Sequence, residues 1–325
     1  MPERWKSFDL VEAFQLSQAV RMLHQLELFE ALKKPATARE LASKYELDAN
    51  MLRGVLEYVA ARTDLLRRTG EAFVATRQSI GASRFLFELY VGAYGDNARR
   101  LADSLRDPSV APGAVDLLSY ARAFDAVDGS NLGILPALIR QLEFNHVLDL
   151  GCGNGALLLE LARQDAHFIG WGIDLNPAMC RVARARICAA GAGKRVRVIR
   201  GDCRKLNSVL PIKVSAAVRA VTACNVANEM FSDGHRRAVS WLRGLRKALP
   251  GRPLLIDDYY GRLGGKKGRT HRETLLHDYA QLISGQGVPP ACAKEWRTIY
   301  ARAGCRLAHI IEDKTTTRFI HLLQL

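Results

Sequence analysis

The stretch His146-Val147-Leu148-Asp149-Leu150-Gly151-Cys152-Gly153-Asn154-Gly155 decides how this chain folds. An apolar run ends in an acid, three glycines follow at alternate positions, and a helical apolar pattern begins. That order predicts a buried parallel strand turning sharply into a helix. Glycine at such a turn admits positive φ and lets the backbone approach a ligand closely. Two further acids keep the register: Asp174 ends the apolar run Phe168 to Ile173, and Asp202 follows Val196 to Ile199. A dinucleotide fingerprint would read G-x-G-x-x-G, with an acid about 20 residues on. Here the glycines read G-x-G-x-G and Asp149 precedes them. An acid just before the phosphate seat works against a bound anion, so a ligand with a cationic end fits better.

In these residues the chain resembles the class I S-adenosylmethionine (SAM)-dependent methyltransferase superfamily. The resemblance implies an α/β fold: a Rossmann-like seven-stranded sheet, with an N-terminal all-helical, winged-helix-like domain. It implies SAM as co-substrate and no metal. It lays the turn Gly151, Gly153 and Gly155 along the methionine part of SAM. Asp174 would bind both ribose hydroxyls, and Asp202 with Cys203 would face the adenine. Asp149, Leu175 and Asn225 complete the expected cofactor contacts.

The rest of the chain divides into three by pattern. In residues 1–80, Phe14, Leu16, Val20, Leu23, Leu26 and Leu28 recur at helical spacing. Thr37 and Asp48 read as N-caps of two further helices. Asp64 to Thr76 reads as a hairpin turning at Thr69-Gly70. Helix, helix, two-stranded wing is the winged-helix order. A DNA reader would line its second helix with basic and amide side chains. This one shows Asp48, Asn50, Arg53 and Glu57 among apolar positions, which suits packing. The segment resembles the N-terminal domain of small-molecule O-methyltransferases, which implies a homodimer and a wall of the substrate pocket. Residues 81–140 form a helical connector, with a helix over 132–142. In related enzymes it crosses the mouth of the SAM site, where Tyr120 and Phe124 are candidates to cover the sulfonium or else ordinary core aromatics. Residues 141–325 alternate strand and helix, as a doubly wound sheet requires. Strands are expected at 146–150, 168–173, 196–200, 215–221 and 253–257, a helix at 232–249, and a closing hairpin at 306–312 and 316–324, turning at Asp313-Lys314. A C-terminal hairpin does not fit a dehydrogenase.

Composition excludes other classes. A chain of 325 residues with 48% apolar and 25% charged side chains is globular. No apolar run approaches the roughly 18 residues of a membrane span, and the N-terminus lacks a secretory pattern. Seven cysteines without a C-x-x-C pair suggest reduced, mostly buried thiols in a cytoplasmic protein. The net charge of +14 raises nucleic acid as a partner, yet residues 1–80 carry 12 basic and 11 acidic side chains. The excess lies at Arg181–Lys205, with nine basic residues and one acid, and at Arg236–Arg252, with six and none. Both read as solvated helix faces, with an acidic partner such as a phosphopantetheine carrier protein, or RNA, as the alternative. A nucleic-acid-binding or RNA-methylating protein is the third functional reading, and the packing helix at 48–59 counts against it.

The chemistry should sit beyond the carboxyl ends of the strands. The loop after the fourth strand offers Asn225, Asn228 and Glu229; the loop after the fifth offers Asp258, Tyr259 and Tyr260. The O-methyltransferase family places a base histidine after the fourth strand, and here Asn228 and Glu229 stand in that region. Three reactions stay open. One is methyl transfer to an amine, carboxylate or activated carbon, driven by proximity. Another uses Glu229 or Asp258 as a base with its pKa raised by burial. In the third, as in azetidine-2-carboxylate synthases, SAM's own α-amine attacks its γ-carbon and methylthioadenosine leaves; Asn225, Asn228, Tyr259 and Tyr260 would surround the amino acid end. An insert at 270–290 offers His277 and Tyr279 as substrate contacts. Gly264 to Arg269 looks like a phosphate cradle but lacks the helix and Ser/Thr of a Walker motif, and reads as a surface loop.

Overall fold

A computed structural model of the chain describes residues 5–77, 82–126, 132–264, 271–313 and 315–325. It divides into two units, Met1–Gly95 with Leu118–Val127, and Asp96–Leu117 with Asp128–Leu325.

In the first unit the caps fall where the sequence puts them. Thr37 accepts the Glu40 amide and Glu40 returns to the Thr37 amide, a capping box opening the helix Ala38–Tyr45. Asp48 accepts the Met51 amide and opens the helix Ala49–Arg62, which buries Leu52, Leu56 and Val59. With Val20, Leu23, Leu28 and Phe29 these side chains form the unit's core. The helix is thus committed to packing. Strands β1 (Ala36–Thr37), β2 (Leu66–Thr69) and β3 (Ala72–Ala75) make a small antiparallel sheet in the order β1-β3-β2. The hairpin was legible; the two-residue third strand had no signal of its own. Phe87–Ala93 is a π-helical stretch that no periodicity announced. Replacing Thr37 by alanine removes the cap bond and should lower stability by about 1 kcal/mol, read as a shift in denaturant midpoint at constant slope.

The second unit holds a sheet with seven strands among the described residues. They are β4 (His146–Leu150), β5 (Ile169–Asp174), β6 (Val196–Arg200), β7 (Ala220–Cys224), β8 (Pro253–Tyr259), β9 (Arg306–Glu312) and β10 (Arg318–Gln324). The order is β9-β10-β8-β7-β4-β5-β6. The five strands from β4 to β8 run parallel, and β10 pairs antiparallel with both β8 and β9. Alternation sorts each strand's side chains between two cores. Leu148, Leu150 and Ile173 face one cluster with Leu242 and Trp296; Val147 faces the other with Leu158, Phe168 and Ile187. Each such fully buried side chain contributes about 1.5–3 kcal/mol.

The fourth parallel strand departs from expectation. The apolar run 215–221 predicted a strand, but Pro211 opens a helix over Ile212–Ala217 and the strand starts at Ala220. Pro211, its φ locked by the ring, sits extended at the helix N-cap, and that signal outweighs the apolar run. The helix expected over 232–249 begins later, at His235, and that over 132–142 is Leu135–Gln141. The cysteines are all free, but only Cys152, Cys180 and Cys305 are buried; Cys188 and Cys292 are exposed, because both sit on solvent-facing ends of helices. Lys314 of the closing turn and residues 265–270, most of the glycine-rich loop, lie outside the described residues. Among the described residues no helix is long and apolar enough to cross a membrane.

Candidate active site

β4 lies between β5 and β7, so the crevice opens where the strand order reverses, beyond the carboxyl ends of these strands. Gly151, Gly153 and Gly155 all adopt positive φ, at +63°, +53° and +77°. Gly151 also has no room for a side chain: a Cβ there would lie 2.4 Å from Val226 Cγ2. The turn is therefore held close under the loop that follows β7. Asp149 is buried at the end of β4 and accepts the Thr222 hydroxyl at 2.7 Å from β7. Burial pushes its carboxyl up to about 7, with the Asp174 charge adding and the Thr222 bond opposing.

Asp174 links the two turns. Its Oδ2 accepts the Gly153 amide at 2.9 Å and its Oδ1 accepts the Asn176 amide at 2.8 Å. Burial nonetheless raises its pKa. Leu175 beside it is exposed, an apolar side chain held open to solvent at the strand end. Asp202 caps the short helical turn Cys203–Lys205, accepts the Arg204 amide and holds the Arg204 guanidinium through both oxygens. Cys203 is half-buried next to it, its thiol pushed by burial up to about 12. These are the expected cofactor contacts, gathered at one end of the sheet.

The loop after β7 opens with Asn225 at φ +52°, a left-handed conformation uncommon for a residue other than glycine. Its side chain and that of Asp257 are held by Arg318, at 3.0 and 2.6 Å, from the first position of β10. Asn228 is buried; its amide donates to Asp258 Oδ2 at 3.0 Å, while its side-chain Oδ1 has no partner. Asp258 is fully buried, and its other oxygen accepts the Tyr259 amide at 2.9 Å. Each oxygen thus accepts one backbone amide, which fixes the carboxyl within the loop. Glu229 is half-buried. Burial pushes it up to about 7, helped by the charges of Asp174 and Asp258 and opposed by Arg204. Of the two bases considered, Glu229 has the freer carboxylate.

Tyr259 and Tyr260 part company. Tyr259 donates its hydroxyl to Gln281 Oε1 at 2.9 Å and meets the His277 ring edge-on at 5.5 Å. Tyr260 turns the other way, where its hydroxyl bonds the exposed Glu312 and the buried His321, which Tyr300 also bonds. His277, on the helix Arg272–Ile283, is lowered to about 4, first by burial and then by Arg318. It is neutral at ordinary pH, so it fills the base-histidine role only weakly. Tyr279 lies on the exposed side of the same helix, away from Tyr259. Tyr120 belongs to the first unit, where its ring meets Phe124 at 4.8 Å and Tyr94 at 6.5 Å.

Three participants escaped the sequence. Asp278 is fully buried and accepts the amides of Arg262 and Leu263. Gln281 orients Tyr259, and Arg318 clamps Asn225 and Asp257. On the helix Arg272–Ile283, Gln281 is one turn from both Asp278 (i, i+3) and His277 (i, i+4), and that polar spacing is a readable signal. Arg318 gives none. Among the described residues no group of His, Cys, Asp and Glu side chains is arranged to hold a metal.

Residues 147–248 match the family described as a methyltransferase domain. The matched stretch runs from β4 through β7 and includes the glycine turn. Its fold is that of the mitomycin 7-O-methyltransferase MmcR, with a TM-score of 0.77 at 18% identity over 97% of this chain and 96% of that one. The O-methyltransferase NcsB1 from neocarzinostatin biosynthesis, solved with S-adenosylhomocysteine (SAH) and 1,4-dihydroxy-2-naphthoic acid, superposes with a TM-score of 0.66 at 21% identity over 94% of this chain and 95% of that one. Among characterised proteins, 2-ketoarginine methyltransferase of Streptomyces arginensis is 28% identical over 176 residues, half of each chain. Aclacinomycin 10-hydroxylase RdmB of Streptomyces purpurascens is 35% identical over 142 residues, 43% of this chain and 32% of that protein. The matches thus span half or less of these relatives. One of them is named for hydroxylation, so kinship alone does not assign methyl transfer; the site must.

Proposed function

We propose that the chain transfers the methyl group of SAM to a small-molecule acceptor in secondary metabolism. The observation that carries this is Asp174. Its carboxylate is fixed by two backbone amides at the end of β5 and faces a turn too tight for side chains, a seat for a diol beside a close-approaching backbone. Asp149, Gly151, Gly153, Gly155 and Asn225 would hold the methionine part, and Leu175, Asp202 and Cys203 the adenosine. Positioning supplies most of the acceleration. Glu229, with a pKa near that of the medium, takes the proton that the acceptor loses. The assignment gives dimerisation to residues 1–80 and the chemistry to residues 141–325. The exposed Phe8, Val11 and Phe14 on the helix Ser7–Gln25 support a homodimer.

Calorimetry with SAH tests the cofactor, and product masses after incubation with SAM alone test the reaction. Methylthioadenosine with a cyclic amino acid would replace methyl transfer by self-cyclisation. With an accepted substrate, turnover should rise with pH through about 7, as Glu229 becomes a carboxylate, and then level off. A flat profile between about pH 6 and 8 would remove Glu229 as base.

A further inference from the structure

The groups beyond β7 and β8 form a field of one sign. Asp174, Glu229 and Asp258 lie close enough that the first and last raise the pKa of the middle one. The nearby cations are already committed, Arg204 to Asp202 and Arg318 to Asp257 and Asn225. His277 is neutral. Among the described residues no free cation is left to receive a phenolate or carboxylate acceptor in this field, and like charges in a desolvated site repel strongly. A second observation points to the missing group. Asn228 is almost fully buried within the cluster; its backbone amide donates to Asp258, yet its side-chain Oδ1 accepts nothing. A buried carbonyl left without a donor is costly, and such an orphan marks where a ligand's N–H belongs.

We propose that the acceptor is a cationic amine, held by the Glu229 carboxylate and the Asn228 side-chain carbonyl, and that its nitrogen receives the methyl group. This deepens the methyltransferase reading above and rests on it. The ammonium first gives one proton to Glu229, which leaves a lone pair on nitrogen. That pair attacks the methyl carbon, the carbon–sulfur bond breaks with its electrons on sulfur, and SAH results. The methylated nitrogen leaves as an ammonium and Glu229 returns its proton to solvent. Asp174, Asp258, Arg204 and the Cys203 thiol are the titratable and charged groups that act on Glu229. In the free protein it titrates at about 7, so amine binding should tighten as pH rises through that value.

The test uses the full chain with SAM and tyramine, which carries an amine and a phenol on one frame. Fragment masses should place the added methyl on nitrogen; methyl on the phenol oxygen overturns the proposal. A binding arm decides if tyramine is not turned over. With the protein saturated in SAH, benzylamine should bind at least tenfold tighter than benzyl alcohol at pH 8, and the preference should shrink at pH 6. Glu229→Gln should abolish the preference and Glu229→Asp restore part of it, with SAH affinity unchanged in both. Equal affinity of the two probes, or a preference that survives Glu229→Gln, overturns it. If SAH itself does not bind the wild-type protein, the methyltransferase reading falls and takes the proposal with it; if SAH binds, only the amine is at stake.

Discussion

Asp174→Ala should leave a folded protein that has lost most of its affinity for SAH. The carboxylate accepts the Gly153 and Asn176 amides, so its removal loosens the glycine turn and the cap of the following helix together. It also removes the acceptor proposed for two ligand hydroxyls. Hydrogen bonds to a charged group are worth about 1.5–3 kcal/mol each. Losing the pair should therefore weaken binding by roughly 3–6 kcal/mol, or about 10² to 10⁴-fold. Asp174→Asn keeps one oxygen for a backbone amide and should lose less. Calorimetric titration with SAH measures both, and circular dichroism checks the fold. An unchanged affinity in the alanine variant would remove Asp174 from the ligand site. Since burial raises the Asp174 pKa, affinity should also fall as pH drops through the acid range.

Gly287→Ala should damage stability and turnover together. Gly287 has φ +83°, and a Cβ there would lie 2.2 Å from the Phe231 carbonyl oxygen and 2.4 Å from its carbon. These are backbone atoms that cannot swing aside. The Phe231 amide also donates to the Gln286 carbonyl at 3.1 Å, pinning the two segments. Alanine must then push the loop carrying Asn228 and Glu229. Strain at positive φ costs about 1–2 kcal/mol, and the steric conflict should bring the total to roughly 2–4 kcal/mol. Displacing reacting groups by about 1 Å can cost roughly 10²-fold in rate. Gly54→Ala makes the contrast. Gly54 sits in the helix Ala49–Arg62 with nothing near its missing Cβ, so alanine should stabilise by about 0.5–1 kcal/mol. Urea unfolding and turnover measured on the two variants separate packing conflict from a general intolerance of glycine replacement.

How much was legible depends on where the cause lies in the chain. Asp149, the alternate glycines, Asp174 and Asp202 are local signals, each at the end of a strand that its own apolar run defines. The site's other half is assembled by packing. Arg318 reaches Asn225 and Asp257 only because β10 pairs with β8, with Arg318 opposite Tyr259. No spacing in sequence foretells that. Asp258, a candidate base by sequence, is fully buried with one backbone amide on each oxygen, a setting made by the loop that folds over it. Tyr259 and Tyr260 are neighbours that point to opposite sides, as strand alternation requires once β8 extends to Tyr259. The misplaced start of β7 has the opposite origin: Pro211 is a local signal, and it prevails over the apolar run that follows it.

The strand order has a consequence for assembly. β6 and β9 are the outer strands, and their free edges are templates for pairing with another chain. β6 reads Val-Arg-Val-Ile-Arg, with Arg197 and Arg200 exposed. β9 carries exposed Arg306, His309 and Glu312, and its register slips between Leu307 and His309. Outward charges and an irregular register are what keep such edges from zipping together. Copies of this protein are therefore steered away from sheet-to-sheet growth.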